Sequence, residues 1–155
     1  MAKVVRFSVL LVLGLLSGCA CVTVTPEEAA RIDALHARGI TWSQEWKAGR
    51  FTPPVNMTAA VWWSVLPGAG QHFMAHKMGD AGLDAEHADD CLRLRTSGTL
   101  MLATSWFPYV YIFTLPCGLA AGTVQDVNRI NNLALLRYMD AQERDNEKRV
   151  SPLEK

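Results

Sequence analysis

Two long segments of this 155-residue chain contain no Asp, Glu, Lys or Arg, and they limit its possible folds more than any other feature. The first runs from Phe51 to His76 and the second from Thr96 to Gln125. The second is long enough to span a bilayer, which takes about 20 residues, or to form a buried hairpin. Pro108 and Pro116 within it favour broken or re-entrant helices over one straight span. The alternatives are a membrane hairpin, helices lying in one leaflet, and a compact helical bundle.

The helix signals elsewhere place the chain in the all-α class. Thr25 and Glu28 have the spacing of a capping box, Pro26 suits the first helical position, and Gly39 is expected to end this helix. Apolar residues recur at helical spacing from Thr123 to about Arg149, which predicts a long C-terminal helix. We expect a small helical hairpin or bundle with two apolar segments and a long C-terminal helix.

The N-terminus has the pattern of a secretory signal. Lys3 and Arg6 precede a short apolar run, Phe7 to Leu16, which is too short to span a bilayer. Leu16-Ser17-Gly18-Cys19 resembles the lipobox of bacterial lipoproteins. The resemblance implies cleavage before Cys19 and lipid on its thiol and amino group, which together anchor a protein stably. The implied location is the periplasmic side of the inner or outer membrane. The alternative is an ordinary signal peptide with a cysteine near its cleavage site.

Cleavage at this point leaves a mature chain large enough for one small domain. Loss of Lys3 and Arg6 reduces 15 basic residues to 13, against 15 acidic residues, so the mature net charge is −2. A nucleic-acid partner is therefore not expected. Pro53-Pro54 marks a boundary. The predicted parts are a signal peptide (1–18), a lipid-anchored helix and linker (19–54), the hairpin with the C-terminal helix (55–150) and a tail (151–155).

The middle of the chain resembles the TM2-type membrane hairpins. Ser64 to Phe73 is close to the Pro-Gly-x-Gly-Gln-Phe-Tyr segment of that family, and Gly118 to Asn128 stands in place of its Asp-containing segment. The similarity covers Ala60 to Asn132, although a methionine replaces the usual tyrosine and the polar turn is longer and more acidic. The resemblance implies two short apolar helices around that turn. The sequence places helices at about Met57–Leu66 and Gln71–Met78.

A metal site is the alternative function that the sequence offers. His72 and His76 are four residues apart, as are His87 and Cys91, and two such pairs on facing helices have the composition of a four-ligand site. Chance spacing and solvated histidines are the competing interpretation. The polar stretch Gly79–Arg95 lacks the residue order of an EF-hand loop. Its acidic residues are expected to form a solvated turn: Asp80, Asp84, Glu86, Asp89 and Asp90.

Three other groups of residues can each be interpreted in more than one way. Trp42 and Trp46, four residues apart, either face a membrane interface or pack on the core. With Cys19 assigned to lipid, three cysteines remain: Cys21, Cys91 and Cys117. Because three is an odd number, at least one of them is free, acylated or paired between chains. The C-terminal helix carries a dense polar cluster: Asp126, Asn128, Arg129, Asn131 and Asn132. We expect it to hydrogen-bond with the Pro-Gly turn, with Asp126 and Arg129 opposite the apolar stripe; the alternative is an active site.

The sequence contains no recognisable catalytic motif. It lacks Gly-x-Ser-x-Gly, and no Gly-Lys-Ser/Thr follows the glycines of the Pro-Gly turn. We expect a non-enzymatic envelope lipoprotein without a cofactor, whose partners are membrane lipid and either a second copy or another envelope protein. The alternative is a periplasmic metal-binding protein that uses His72, His76, His87 and Cys91.

Overall fold

The computed structural model describes residues 21–104 and 120–150, and the regular structure within them is entirely α-helical. This confirms the all-α fold and the long C-terminal helix. Predictions for the signal peptide, for Cys19, for Cys117 and for the 151–155 tail lie outside the described residues. The helices are α1 (Pro26–Ala37), α2 (Trp42–Lys47), α3 (Met57–Ser64), α4 (Ala69–Asp80), α5 (Ala88–Thr104) and α6 (Ala120–Val150).

Helix α1 begins and ends as the sequence predicts. The Thr25 hydroxyl accepts the backbone N–H of Glu28 at 3.2 Å, and the Glu28 carboxylate accepts the backbone N–H of Thr25 at 2.8 Å. Both halves of the capping box are therefore present. Gly39 follows the helix with a φ of 75°, which suits glycine. The inner face of α1 forms a small apolar cluster with α6: Ile32, Leu35 and Leu136.

Helix α2 buries a carboxylate in preference to its tryptophans. Trp42 is partly buried and Trp46 is 50% exposed, whereas Glu45 lies inward and pairs with Arg50 at 2.7 Å. The hydrogen bond from the Arg50 guanidinium holds the pKa of the Glu45 carboxyl below its ordinary value. The core-packing interpretation is therefore wrong for Trp46.

A tight corner joins α3 to α4. Helix α3 ends at Ser64, and α4 begins directly after Gly68. Gly68 has a φ of 76°, and a Cβ atom added there would lie 2.0 Å from the carbonyl oxygen of Gly98 on α5. A Cβ atom on Gly70 would lie 2.2 Å from the Ser64 hydroxyl. The Pro-Gly segment is therefore a packing corner at which α3, α4 and α5 approach one another closely.

Helix α5 begins earlier than the polar pattern indicates. The sequence predicts a polar stretch through residues 79–95, but α5 starts at Ala88, so the second half of this stretch is helical. Cys91 and Leu94 on its inner face are buried in the core, and that burial stabilises the helix despite its polar neighbours. Gly98 in the second half of α5 meets Gly68 at the start of α4, and only seven residues join the end of α4 to the start of α5, so the two helices run antiparallel.

Helix α6 is the element around which the bundle assembles, since it contacts α1, α2, α3 and α4. It runs antiparallel to α3, because Asn131 bonds to Val55 just before α3 and Thr123 bonds to Ser64 at its end. Residues 141–148 are exposed, as expected for the charged end of this helix. The main core contains Val22, Val55, Ala60, Met74, Ala75, Met78, Leu83, Cys91, Leu94, Val127, Ile130 and Leu133.

The second uncharged run is described only in part. Residues 96–104 belong to α5 and residues 120–125 to α6, while 105–119, with Pro108 and Pro116, lies outside the described residues. Among the helices that the structure describes, none combines the length and the apolar character needed to cross a bilayer.

Candidate functional site

The described chain begins with an extended segment, residues 21–25, which we call the N-terminal strap. It is bonded to both α5 and α6 and leads into α1. Val22 is fully buried within the main core. The strap starts two residues after Cys19, the predicted lipid site. The contacts that hold the strap therefore also restrict how far the domain can move from that site.

Asp126 of α6 holds the first two residues of the strap. Its Oδ2 atom accepts the backbone N–H of Cys21 at 3.1 Å, and its Oδ1 atom accepts the backbone N–H of Val22 at 2.9 Å. The residue is 3% exposed, and this burial raises the pKa of its carboxyl, although the two N–H donors and Arg129 oppose the rise. A buried extended segment without a neighbouring strand needs such acceptors, because its amides cannot reach water.

Arg129 and Asp90 complete the contacts. The Arg129 Nη1 atom donates to the Val22 carbonyl oxygen at 2.6 Å. The Asp90 Oδ2 atom accepts the backbone N–H of Thr23 at 3.0 Å, and its Oδ1 atom accepts the Thr23 hydroxyl at 2.9 Å. Side chains from two helices thereby bond the main chain of three consecutive strap residues. We call Asp90, Asp126 and Arg129 the strap clamp.

A buried histidine connects the strap clamp to α1. The Nδ1 atom of His87 lies 3.3 Å from Oδ2 of Asp90, and its Nε2 atom lies 3.1 Å from Oε1 of Glu28. Glu28 is also the residue that completes the capping box with Thr25. The start of α1, the turn before α5 and the strap are therefore joined by a continuous set of close polar contacts.

The side chains of the strap clamp hold one segment of the chain in place by hydrogen bonds. Both carboxylate oxygens of Asp126 and both of Asp90 accept hydrogen bonds from the chain itself. A general acid or base needs an atom within hydrogen-bonding reach of a substrate. Each of these carboxylate oxygens instead accepts a bond from the strap, so their arrangement fits positioning of the strap.

The structure does not bring the four candidate metal ligands together in one site. Nε2 of His72 lies 3.4 Å from the Thr99 hydroxyl, and the exposed His76 pairs with an aspartate of its own helix at 3.8 Å. His87 lies within the set of polar contacts described above. Burial raises the pKa of the Cys91 thiol, which disfavours the thiolate that metals bind. Across residues 21–104 and 120–150, no group of three or more His, Cys, Asp or Glu side chains is placed to hold a metal ion.

The acidic stretch is only partly solvated. Asp84, Glu86 and Asp89 are exposed, as a solvated turn requires. Asp90 is 2% exposed and holds Thr23, so the expectation is wrong for this residue. Successive residues of a helix point in different directions, which is why Asp89 faces solvent and Asp90 faces the strap.

Three residues of the polar cluster on α6, Asp126, Arg129 and Asn131, bond to other segments than the Pro-Gly turn. Asn131 donates from Nδ2 to the Val55 carbonyl oxygen at 3.0 Å and accepts the Val55 N–H on Oδ1 at 3.2 Å. Asp126 and Arg129 bind the strap, and Thr123, outside the predicted cluster, supplies the bond to Ser64.

The position of Asp126 corrects a second expectation. The sequence places it opposite the apolar stripe of α6, but it is buried beside Val127 and one turn before Ile130, which are both core residues. The sequence signal for this burial is the position of Asp126 beside two apolar positions of the stripe. Nothing in the sequence identifies its partner, since Val22 and Asp126 are separated by 104 positions.

The segment that resembles TM2-type hairpins forms the corner between α3 and α4. Its Pro-Gly-Ala-Gly residues bring helices into close contact, and Gln71 just after them is buried. A comparison of the chain with protein-family models, curated proteins and solved structures finds no match.

Proposed function

We propose that this protein is a bacterial envelope lipoprotein with a structural or interaction role, anchored by lipid on Cys19. Two features support the proposal. The first is the lipobox-like segment that ends at Cys19. The second, which carries most of the argument, is the strap clamp on Cys21, Val22 and Thr23.

Because of the strap clamp, a lipid anchor on Cys19 would keep the domain close to the bilayer. Only one residue separates Cys19 from Cys21, and two residues reach at most about 7 Å. Acyl chains on Cys19 would therefore hold the domain directly at the bilayer surface. A flexible tether after the lipid would leave the domain free to move away, and such a tether would not need buried carboxylates to bind its amides.

A non-enzymatic role is supported by how the buried polar groups are used. Asp126, Asp90 and Asn131 are buried, and each bonds main-chain groups of this chain. Buried polar groups of this kind fix a unique arrangement of segments when their partners are all present. Here that arrangement positions the strap and the segment before α3 on the helical bundle.

Metabolic labelling with a palmitate analogue tests the anchor. Cys19→Ser removes the thiol that would carry diacylglycerol, so labelling is expected to disappear. Cys21→Ser is the matched control, because it changes the next thiol along the chain and is expected to keep the label. Persistent labelling of Cys19→Ser would overturn the proposal.

A further inference from the structure

We propose that one end of the helical bundle is a membrane-seating surface that rests on a lipid bilayer. We call it the apolar end; it comprises the C-terminal halves of α3 and α5, the corner before α4 and the start of α6. Trp62 is 72% exposed there. Of the ten large hydrophobic side chains exposed in the described residues, eight belong to this end: Val61, Trp62, Trp63, Val65, Leu66, Leu100, Leu102 and Val124. Concentration of exposed apolar side chains in one place marks an interaction surface.

Close contacts bring these elements to the same end of the molecule. The hydroxyls of Ser64 and Thr123 lie 3.0 Å apart, which joins the end of α3 to the start of α6. The tight approach of Gly68 to Gly98 joins the start of α4 to α5. The end of α3, the second half of α5 and the start of α6 therefore lie at the same end of the bundle.

The apolar end carries no charge. It is built from residues 61–68, 96–104 and 120–125, all of which lie within the two segments that lack Asp, Glu, Lys and Arg. Charged side chains are costly to move out of water, and their absence lets this end approach a bilayer without that cost. Tryptophan is enriched where proteins meet the membrane interface, and Trp62 and Trp63 are both exposed here.

The strap leads toward the apolar end. Thr23 is held by Asp90, which lies eight residues, or about 12 Å of helix, before Gly98 on α5. Cys21 is held by Asp126, only three residues, or about 4.5 Å, after Thr123 on α6. Followed backward from Thr23 to Cys21, the chain therefore approaches the apolar end, with Cys19 two residues further. This step alone rests on the proposed lipid anchor.

The distribution of charge along α6 favours a bilayer over a second protein as the occupant. The exposed residues 141–148 at the far end of the helix include five charged side chains, whereas its first six residues, 120–125, have none. Protein interfaces usually surround an apolar centre with polar side chains and direct hydrogen bonds. An end that is uncharged throughout, opposite a strongly charged end, matches a molecule that stands upright on a membrane.

Quenching of tryptophan fluorescence by brominated lipid tests the surface. The purified lipoprotein is reconstituted into vesicles of phosphatidylethanolamine and phosphatidylglycerol with brominated acyl chains. Trp62→Phe is expected to remove part of the bromine-quenched emission, because it deletes a tryptophan at the bilayer. Trp46→Phe is the matched control: Trp46 is also exposed, but it belongs to α2, which packs on α6. Phe51, four residues after α2, contacts Tyr138, about 22 Å of helix beyond Thr123, so this part of the chain lies far from the apolar end. The Trp46→Phe variant is expected to leave the bromine-quenched emission unchanged.

Each result supports or overturns the proposal of a membrane-seating surface. Selective loss in Trp62→Phe supports it, whereas equal losses in both variants or no bromine quenching would overturn it. A dimer that protects Trp62 from aqueous iodide without any quenching by lipid would assign the apolar end to a second copy and also overturn it. The anchor is judged separately: if Cys19→Ser keeps its label while Trp62 is still quenched, the anchor fails and the surface stands.

Discussion

The side-chain amide of Asn131 pairs with both main-chain polar groups of Val55, as the edge of a neighbouring β-strand would. Both residues are fully buried. The chain between α2 and α3 contains Pro53-Pro54 and cannot satisfy its buried amides through helix formation. One asparagine on α6 therefore fixes the segment that leads into α3.

Replacement of this asparagine should be costly. Asn131→Leu keeps the approximate volume but leaves the Val55 N–H and C=O groups buried without their partner, so we expect the free energy of unfolding to fall by about 2–4 kcal/mol. Asn146→Leu, at an exposed position of the same helix, is expected to change it by less than about 0.5 kcal/mol. Urea denaturation followed by circular dichroism measures both. Similar losses in the two variants would contradict the role of the Asn131–Val55 pair.

A side chain added at Gly68, in the corner before α4, should destabilise the protein, whereas one added at Gly79 within α4 should not. Gly68→Ala adds a Cβ atom at positive φ and against the Gly98 carbonyl, so we expect a loss of about 2–5 kcal/mol. Gly79→Ala meets no atom within 4 Å and has an ordinary helical backbone, so we expect no loss and up to about 1 kcal/mol of gain. Thermal unfolding of the two variants gives the comparison. A mild effect at Gly68 would show that the corner can open.

Neighbouring aspartates at the start of α5 should behave differently. Asp90→Ala removes the acceptor of the Thr23 N–H and hydroxyl, and we expect faster amide hydrogen exchange across the strap. Because the lost bonds involve a carboxylate, stability should fall by about 1.5–3 kcal/mol. Asp89→Ala changes an exposed residue of the same charge and should leave exchange of the strap unaltered. Unchanged exchange in Asp90→Ala would contradict the clamping role.

Local sequence signals were sufficient for most of the helices. The Thr25–Glu28 capping box defines the start of α1 from residues three apart, and periodicity over many turns defines α6. The start of α5 was missed because its polar first turns are stabilised by burial of Cys91 and Leu94 on the opposite face. That stabilisation comes from tertiary packing, which a local pattern of charges does not contain.

The strap clamp was not predictable in the same way. Its residues were visible in the sequence as an acidic stretch and a polar cluster, yet each contact joins positions far apart in the chain, such as Thr23 with Asp90. A buried carboxylate also resembles a solvated one in sequence, as Asp89 and Asp90 demonstrate. Only the packing of α5 and α6 around Val22 determines which of them faces the strap.

Asp126 should give the stability of the protein a distinctive dependence on pH. Burial raises the pKa of its carboxyl in the folded state, although the N–H groups of Val22 and Cys21 and, to a smaller extent, Arg129 oppose the rise. An aspartate in an unfolded chain has a pKa of about 3.9, so over the interval above that value the folded state binds more protons than the unfolded state. The stabilisation from Asp126 is therefore complete below about pH 4 and is lost as pH rises through the raised pKa.

Asp126→Asn removes this titration, so the stability of the wild type relative to the variant should decline as pH increases from about 4 toward 7.5. Urea denaturation of both proteins at several pH values measures this difference, in which the other titrating groups largely cancel. Asp145→Asn, at an exposed position of α6, controls for the change in net charge. A relative stability that increases with pH would mean that the two strap amides outweigh burial and keep the Asp126 carboxylate ionised. In that case the strap would be held most tightly at neutral pH.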